Sequence, residues 1–294
     1  MEKIFIFTDS ASDLPRSLVE QYQIHILPVL LTHEGRTFRE YYDTTPQEYW
    51  KLLSTSKEIP TTAQITPPAY LELYQKAHAE GYTHVLGVLI NGKGSGCYQS
   101  ACMARQLFHE ETGDDMTIEL VDSEIYTMMY GRTVVEAAQM RDKGAAFTDI
   151  VAHVRAHLLC SEAVMGVYSL NYLKRSGRIS GGAAFVGEAL GLRPVCHVYD
   201  GGVKVCGKAR GDKKLLAAVL DMVKKRAVAP EKQTAGLLHG DLDAALIDEI
   251  ETEIYKLGFA AVERWEIGAS VITNAGPKAF AVMFDGVPRQ PARP

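Results

Sequence analysis

Near the start of the chain, four apolar residues (Ile4, Phe5, Ile6, Phe7) run unbroken between Lys3 and Thr8. A short run of this kind predicts a strand buried on both faces. Similar runs recur at 84–90 (HVLGVLI) and 116–122 (MTIELVD). Between them the spacing becomes helical. Residues 14–22 predict a short helix with Pro15 in its first turn. The next helix takes Thr45 as cap and Pro46 as its first residue, and residues 66–81 repeat that grammar with Gly81 as the stop. A further helix follows residue 96, and residues 124–143 predict a long one closed by Lys143-Gly144. Residues 24–41 read instead as an extended segment turning at Glu34-Gly35 into a shorter one. Strands alternating with helices on this scale imply a parallel sheet covered on both faces.

Beyond residue 160 the pattern changes. EAVMGVY (162–168) and RPVCHVYDGGVKVCGKAR (193–210) predict strands, the second stretch folded about a Gly201-Gly202 hairpin turn. A helix over 213–226, a strand in TAGLLHG, a helix over 242–257 and two extended segments close the chain. The expected class is α/β: an N-terminal three-layer domain on a parallel sheet (1–155), with a small extended insertion near 24–45. A C-terminal mixed-sheet α+β domain (156–294) follows.

Composition narrows the function. Of 294 residues 47% are hydrophobic and 23% charged, and the formal net charge of -5 argues against nucleic acid as a partner. The five cysteines include no C-x-x-C pair, and the nine histidines show neither H-E-x-x-H nor H-x-H, so no metal set is singled out. The first apolar run is too short for a signal peptide, and no stretch approaches the ~20 apolar residues of a spanning helix. A cytoplasmic protein without an integral membrane segment is expected.

Candidate chemistry gathers in a few loops. NGKGSGC (91–97) lies between a strand and a helix, yet Lys93 precedes the last glycines, so the order of a nucleotide-binding P-loop is wrong. G-x-G-x-x-G fails as well. Two readings stay open: an anion site built from helix amides and Ser95, or a tight turn with Ser95 as a helix cap. IPTTAQITPP (59–68) is a hydroxyl-rich loop, and NYLKRSGRISGG (171–182) sets Lys174, Arg175 and Arg178 beside Gly177 and Gly181-Gly182. GKARGDKK (207–214) is a basic stretch, and in VITNAGPKAFAVMF (271–284) a turn at 274–277 separates apolar segments. TDSASDLP (8–15) places Asp9 at a strand end, where it reads as the cap of the next helix.

Together, TDSASDLP, IPTTAQITP, SGCYQSA, VDS, YLKRSGRIS, GLRPVCHVYDGGVK, KARGDKK and NAGPKA resemble the DegV family of bacterial fatty-acid-binding proteins, over essentially the whole chain. The resemblance implies a non-catalytic two-domain carrier that buries one long-chain fatty acid between its domains and needs no other cofactor. It also implies presentation of that acid to a fatty acid kinase. By the same resemblance, Thr62 and Ser95, with Gly94, Gly96, Asn274 and Arg178, would hold the carboxylate. Arg210 matches a basic position expected at the kinase-docking surface, and the basic stretch as a whole, Lys208, Arg210, Lys213 and Lys214, reads either as a docking patch for an acidic partner or as a solvated turn. This chain departs from the family pattern at Ala63, at Asn91-Gly92-Lys93, and at Asn274, where the family usually carries histidine. Asn91 and Lys93 are therefore candidate modifiers of the head-group site. The alternative is an enzyme acting on a small carboxylate or phosphate ester at the same glycine-rich loop.

Overall fold

The computed structural model describes residues 2–113, 116–180 and 191–290. Its first half runs β1 (Ile4–Asp9), α1 (Arg16–Gln21), β2 (His25–Leu27), β3 (Leu30–His33), β4 (Arg36–Arg39), α2 (Pro46–Thr55) and β5 (Thr61–Ala63). Then come α3 (Pro67–Ala79), β6 (His84–Leu89), α4 (Cys97–Thr112), β7 (Thr117–Asp122), α5 (Met128–Asp142) and α6 (Phe147–Cys160). The second half runs β8 (Ser161–Val167), α7 (Leu170–Ser176), β9 (Ile179–Ser180), β10 (Leu192–Tyr199), β11 (Gly202–Arg210) and α8 (Asp212–Arg226). It closes with β12 (Thr234–His239), α9 (Ala244–Tyr255), β13 (Ala261–Glu266), α10 (Ala269–Ala275) and β14 (Ala279–Asp285).

The N-terminal sheet is parallel throughout, in the order β2-β1-β6-β7. All six residues of β1 are buried, as a strand covered on both faces requires. The C-terminal sheet is mixed, in the order β13-β12-β14-β8-β10-β11-β9, with β12–β13 and β11–β9 parallel and the other pairs antiparallel. This is the α/β class expected, parallel first and mixed second.

Several elements differ from the sequence expectation. Residues 24–41 form three strands rather than two: β2 joins the parallel sheet, while β3 and β4 make a hairpin whose Glu34 and Gly35 both take positive φ. Thr61–Ala63, read as loop, is β5 and completes a small β4-β3-β5 sheet. The long helix starts only at Met128, and a second helix, α6, occupies 147–160, where the sequence reading assigns no element. Pro15 stands one residue before α1. The β10–β11 turn is Asp200-Gly201, one residue earlier than expected, with both residues at positive φ in the Asp-Gly arrangement that suits strand twist. Asn274 lies on α10 and not in a turn.

The C-terminal sheet separates its side chains by period two. Along β14, Phe280, Val282 and Phe284 pack with α8 and α9, through residues such as Leu215, Val219 and Ile250. Ala279, Ala281 and Met283 face the opposite way, into a core shared with the N-terminal half. Bulky side chains therefore seal the helix-covered face, and small ones line the other.

Asp9 ends β1, fully buried, and its carboxylate accepts from Tyr130 Oη at 2.6 Å, Ile90 N at 2.8 Å and Ala11 N at 3.1 Å. Asp9 thus caps a single turn of 3-10 helix at Ser10–Ser12 rather than the expected helix α1, which has no side-chain cap, and ties that turn to α5 and to the loop after β6. Burial, against the pull of these donors, pushes its carboxyl up to about 6. A carboxyl raised in the folded state stabilises fully below its unfolded value of 3.8 and loses that contribution as pH climbs through about 6. Replacing Asp9 by alanine strands three buried donors and should cost about 2–4 kcal/mol in urea unfolding. The loss should be about 1 kcal/mol larger at pH 5 than at pH 8. A loss under ~0.5 kcal/mol at both pH values would contradict this role.

Candidate functional site: an apolar cavity closed by a glycine loop

A cavity of about 420 Å³ lies between the two sheets. The size suits a small-molecule site. Its apolar wall comes largely from the small-residue face of the C-terminal sheet: Ala163, Met165, Val198, Val203, Leu238 and Ala281. The polar part comes from Thr62 and Gln64 at β5, the loop 92–96 after β6, Arg178 after α7, and Asn274 on α10. The loop stands at the carboxyl end of a parallel strand, where open α/β sheets place ligands.

Space dictates the glycines. Gly94 and Gly96 lack the positive φ that marks other glycines in this chain. A Cβ on Gly96 would overlap the Gln64 carboxamide, and one on Gly94 would overlap the Tyr126 hydroxyl. Gln64 is held in place by donating to Ser100 Oγ at 3.1 Å. The loop is anchored by Gly92 N donating to Asp122 Oδ1 at 2.9 Å, and it leads directly into α4, sixteen residues long. Ser95 Oγ accepts from Cys97 N at 3.4 Å and lies 3.2 Å from Cys97 Sγ, both weak contacts. A hydroxyl held this loosely, beside the positive end of a long helix, can turn to donate to an anion.

Arg178 bridges the halves of the molecule. Its Nε donates to the Gly94 carbonyl at 3.2 Å, and its Nη1 donates to Asn274 Oδ1 at 3.1 Å and to Ser176 O at 2.8 Å. Asn274 in turn donates from Nδ2 to Ser270 O at 2.8 Å. Asn91 is fully buried: its amide donates to Tyr126 Oη at 2.7 Å and Gly201 O at 3.1 Å, and its Oδ1 accepts from Lys93 N at 3.1 Å. Lys93 lines the cavity and directs Nζ toward Asp200 O, 3.5 Å away. The tip of the β10–β11 hairpin is therefore docked on the glycine loop.

A family model described as "Uncharacterised protein, DegV family" matches residues 3–286. The chain belongs to the DegV family. A DegV domain-containing protein of Caldanaerobacter subterraneus subsp. tengcongensis is 33% identical over 286 residues, covering 97% of this chain and 99% of its own. The solved structure of a DegV family protein from Thermus thermophilus, described for its fatty acid binding, is similar with a TM-score of 0.85 at 29% identity. The match covers 97% of this chain and 100% of that one. A stearic acid-binding protein from Eubacterium ventriosum gives a TM-score of 0.85 at 25% identity, over 96% of this chain and 97% of its own.

A second cavity in this DegV-family chain is larger, about 550 Å³, and its wall sets Leu14, Pro15, Tyr41, Pro46 and Trp265 beside the ionisable Asp13, Glu40, Arg16, Arg264 and His239. The two differ in charge: the smaller cavity has the cations Lys93 and Arg178 and no carboxylate among its described lining residues, whereas Asp13, Glu40 and Glu266 line the larger. Asp9 lines neither. Lys208, Arg210, Lys213 and Lys214 lie exposed on β11 and the start of α8. Gly181-Gly182 fall outside the described residues. Among the described residues no helix is long and apolar enough to cross a membrane. The sequence reading missed the apolar wall, whose signal is the alternation of small and large residues in Ala279-Phe280-Ala281-Val282-Met283-Phe284. It also missed Thr127, which lines the cavity with a positive φ of 57° and a buried hydroxyl that has no partner.

A methyl at Gly96 must displace the exposed Gln64 carboxamide and its bond to Ser100, so Gly96→Ala should cost about 0.5–1.5 kcal/mol. Gly207→Ala, where a methyl would meet Val195 Cβ at an ordinary 3.5 Å, should not. Paired thermal unfolding curves check this, and equal midpoints for the two variants would refute it.

Proposed function

We propose that this protein is a non-catalytic carrier that holds one long-chain fatty acid between residues 1–155 and 156–294. The carboxylate sits at Thr62 and Ser95, with the α4 amides and the Arg178–Asn274 pair beside it, and the tail lies along the alanine-rich face of the C-terminal sheet. One observation carries the reading: a largely apolar cavity whose polar groups are a glycine loop, a helix start, a few hydroxyl and amide side chains and Arg178. Solved DegV relatives described as fatty-acid-binding support it. At about 0.8 kcal/mol per buried methylene, an acyl tail contributes roughly 10 kcal/mol before association costs, so the head-group contacts need mainly to orient it. Asparagine at position 274 can still hydrogen-bond the head group but brings no charge. Arg178, which already touches it, supplies that charge instead.

The carrier works in the cytoplasm and presents its acid to a fatty acid kinase through Lys208, Arg210, Lys213 and Lys214. Ester-cleaving chemistry at the same loop finds less support. Asp9 is committed to three structural hydrogen bonds, and burial pushes the neighbouring Cys97 thiol up to about 11, away from a reactive thiolate.

Denatured protein should release an acyl species to mass spectrometry, and stripped protein should take up palmitate or oleate. Ala281→Phe, which fills the apolar wall, should abolish uptake, while Ser95→Ala and Thr62→Val should each weaken it about tenfold. No acyl species together with no uptake would sink the proposal. Reversing the four basic residues to glutamate should leave uptake intact and cut kinase-dependent phosphorylation of the bound acid. Unchanged phosphorylation would remove the docking assignment.

A further inference from the structure

Away from the cavity, α5 and α6 run as a hairpin joined by residues 143–146 and pack against each other. Glu136 on α5 faces His153 and His157, which lie one turn apart on α6 and so share a face. Glu136 Oε2 is 2.9 Å from His153 Nε2 and 2.6 Å from His157 Nδ1. One donor atom from each of the three residues lies within 4.8 Å of the other two. On the far side of its ring, His157 turns Nε2 toward Asp285 Oδ1 on β14, 3.4 Å away.

We propose that Glu136, His153 and His157 form a binding site for a divalent transition-metal ion of the Zn2+ class. Two imidazole nitrogens and one carboxylate oxygen are a donor set that suits Zn2+, with bonds of about 2.0–2.2 Å. Tetrahedral bonds of that length separate neighbouring donors by about 3.3 Å, so admitting an ion requires the two contacts to open by roughly half an ångström. Glu136 is 29% exposed, and its side chain can swing by that amount. Asp285 supplies the outer carboxylate that metal-bound histidines characteristically engage, holding Nδ1 of His157 toward the ion. His153, 41% exposed, leaves the site open to solvent, so water completes the coordination. Arg132 is a cation whose field reaches Asp285. It is one turn before Glu136 on α5, with Nη1 donating to Thr234 O at 2.9 Å and Nη2 paired with Glu263, and both contacts turn its guanidinium toward β12 and β13. Thr133 Oγ1, 3.5 Å from His157 Nδ1, is neutral.

The plain alternative is that the carboxylate and two imidazoles bond only to one another. Zn2+ titrated into the dialysed full-length chain, followed by calorimetry and thermal unfolding, separates the two. The proposal predicts one saturable Zn2+ per chain, a raised unfolding midpoint, and the visible absorption of tetrahedral Co2+ when Co2+ replaces it. Binding should weaken at least tenfold in His153→Ala and in Glu136→Gln, and be unchanged in His109→Ala on α4. His153 lies at the surface, so its variant should retain the wild-type circular dichroism. No saturable binding, or equal binding by wild type and His153→Ala, would overturn the site, whatever fills the apolar cavity.

Discussion

At the polar end of the cavity a loop lies so close to its neighbours that a Cβ at either of two glycines would have to displace a side chain. Gly94 and Gly96 let the backbone lie directly against Tyr126 and Gln64. This brings Ser95 and the start of α4 to the cavity and presents the Gly94 carbonyl to Arg178 at 3.2 Å. From there Arg178 reaches Asn274 on α10, so one guanidinium links a loop of the parallel sheet to a helix of the mixed-sheet half. A bulkier loop would have to displace Gln64 and Tyr126. The proposed head-group site therefore shares Arg178 with one of the contacts between the halves, beside others such as Tyr49–Thr273, Trp50–Ile267 and Glu40–Ser270.

The other wall follows from the pleat of a strand. Every second residue of β14 turns toward α8 and α9, and there the residues are large. Those between are small or flexible, so the sheet is sealed on one side and hollow on the other. No separate device is needed to make room for a tail. The same alternation that builds the core leaves the space, and the proposed acyl ligand replaces packing that the alanines do not supply.

Much of this was legible in the sequence because the signals were local. The buried runs of β1, β6 and β7, the Thr45-Pro46 start of α2 and the Gly81 stop after α3 depend on nearby residues alone. Elements held by distant partners were not legible. β5 is polar and three residues long, and it is a strand because Leu30, Leu31 and Thr32 of β3 pair with it. The seven-residue α10 has no local side-chain cap. Its Ser270 amide donates instead to Glu40 Oε1 at 2.6 Å, from 230 residues away, which is why Asn274 read as a turn residue. α6 is a different case: Phe147, Ile150, Val154 and Leu158 carry plain helical spacing, and the amphipathic pattern was there to be read. At the site, the loop and Arg178 stood out by residue type, whereas the alanine wall shows only once the two faces of β14 are told apart. His153 and His157 have the H-x3-H spacing of many zinc ligands, but two histidines alone do not single out a site, and the pair acquires meaning when α5 brings Glu136 beside it.

The account turns on where the acid's carboxylate lies. A crystal structure of the protein loaded with palmitate measures this directly. The account predicts the carboxylate within hydrogen-bond distance of Ser95 Oγ and Thr62 Oγ1, with the tail running over Ala163 and Ala281. A carboxylate in the larger cavity beside Asp13 and Glu40, or a tail lying against the glycine loop, would contradict it.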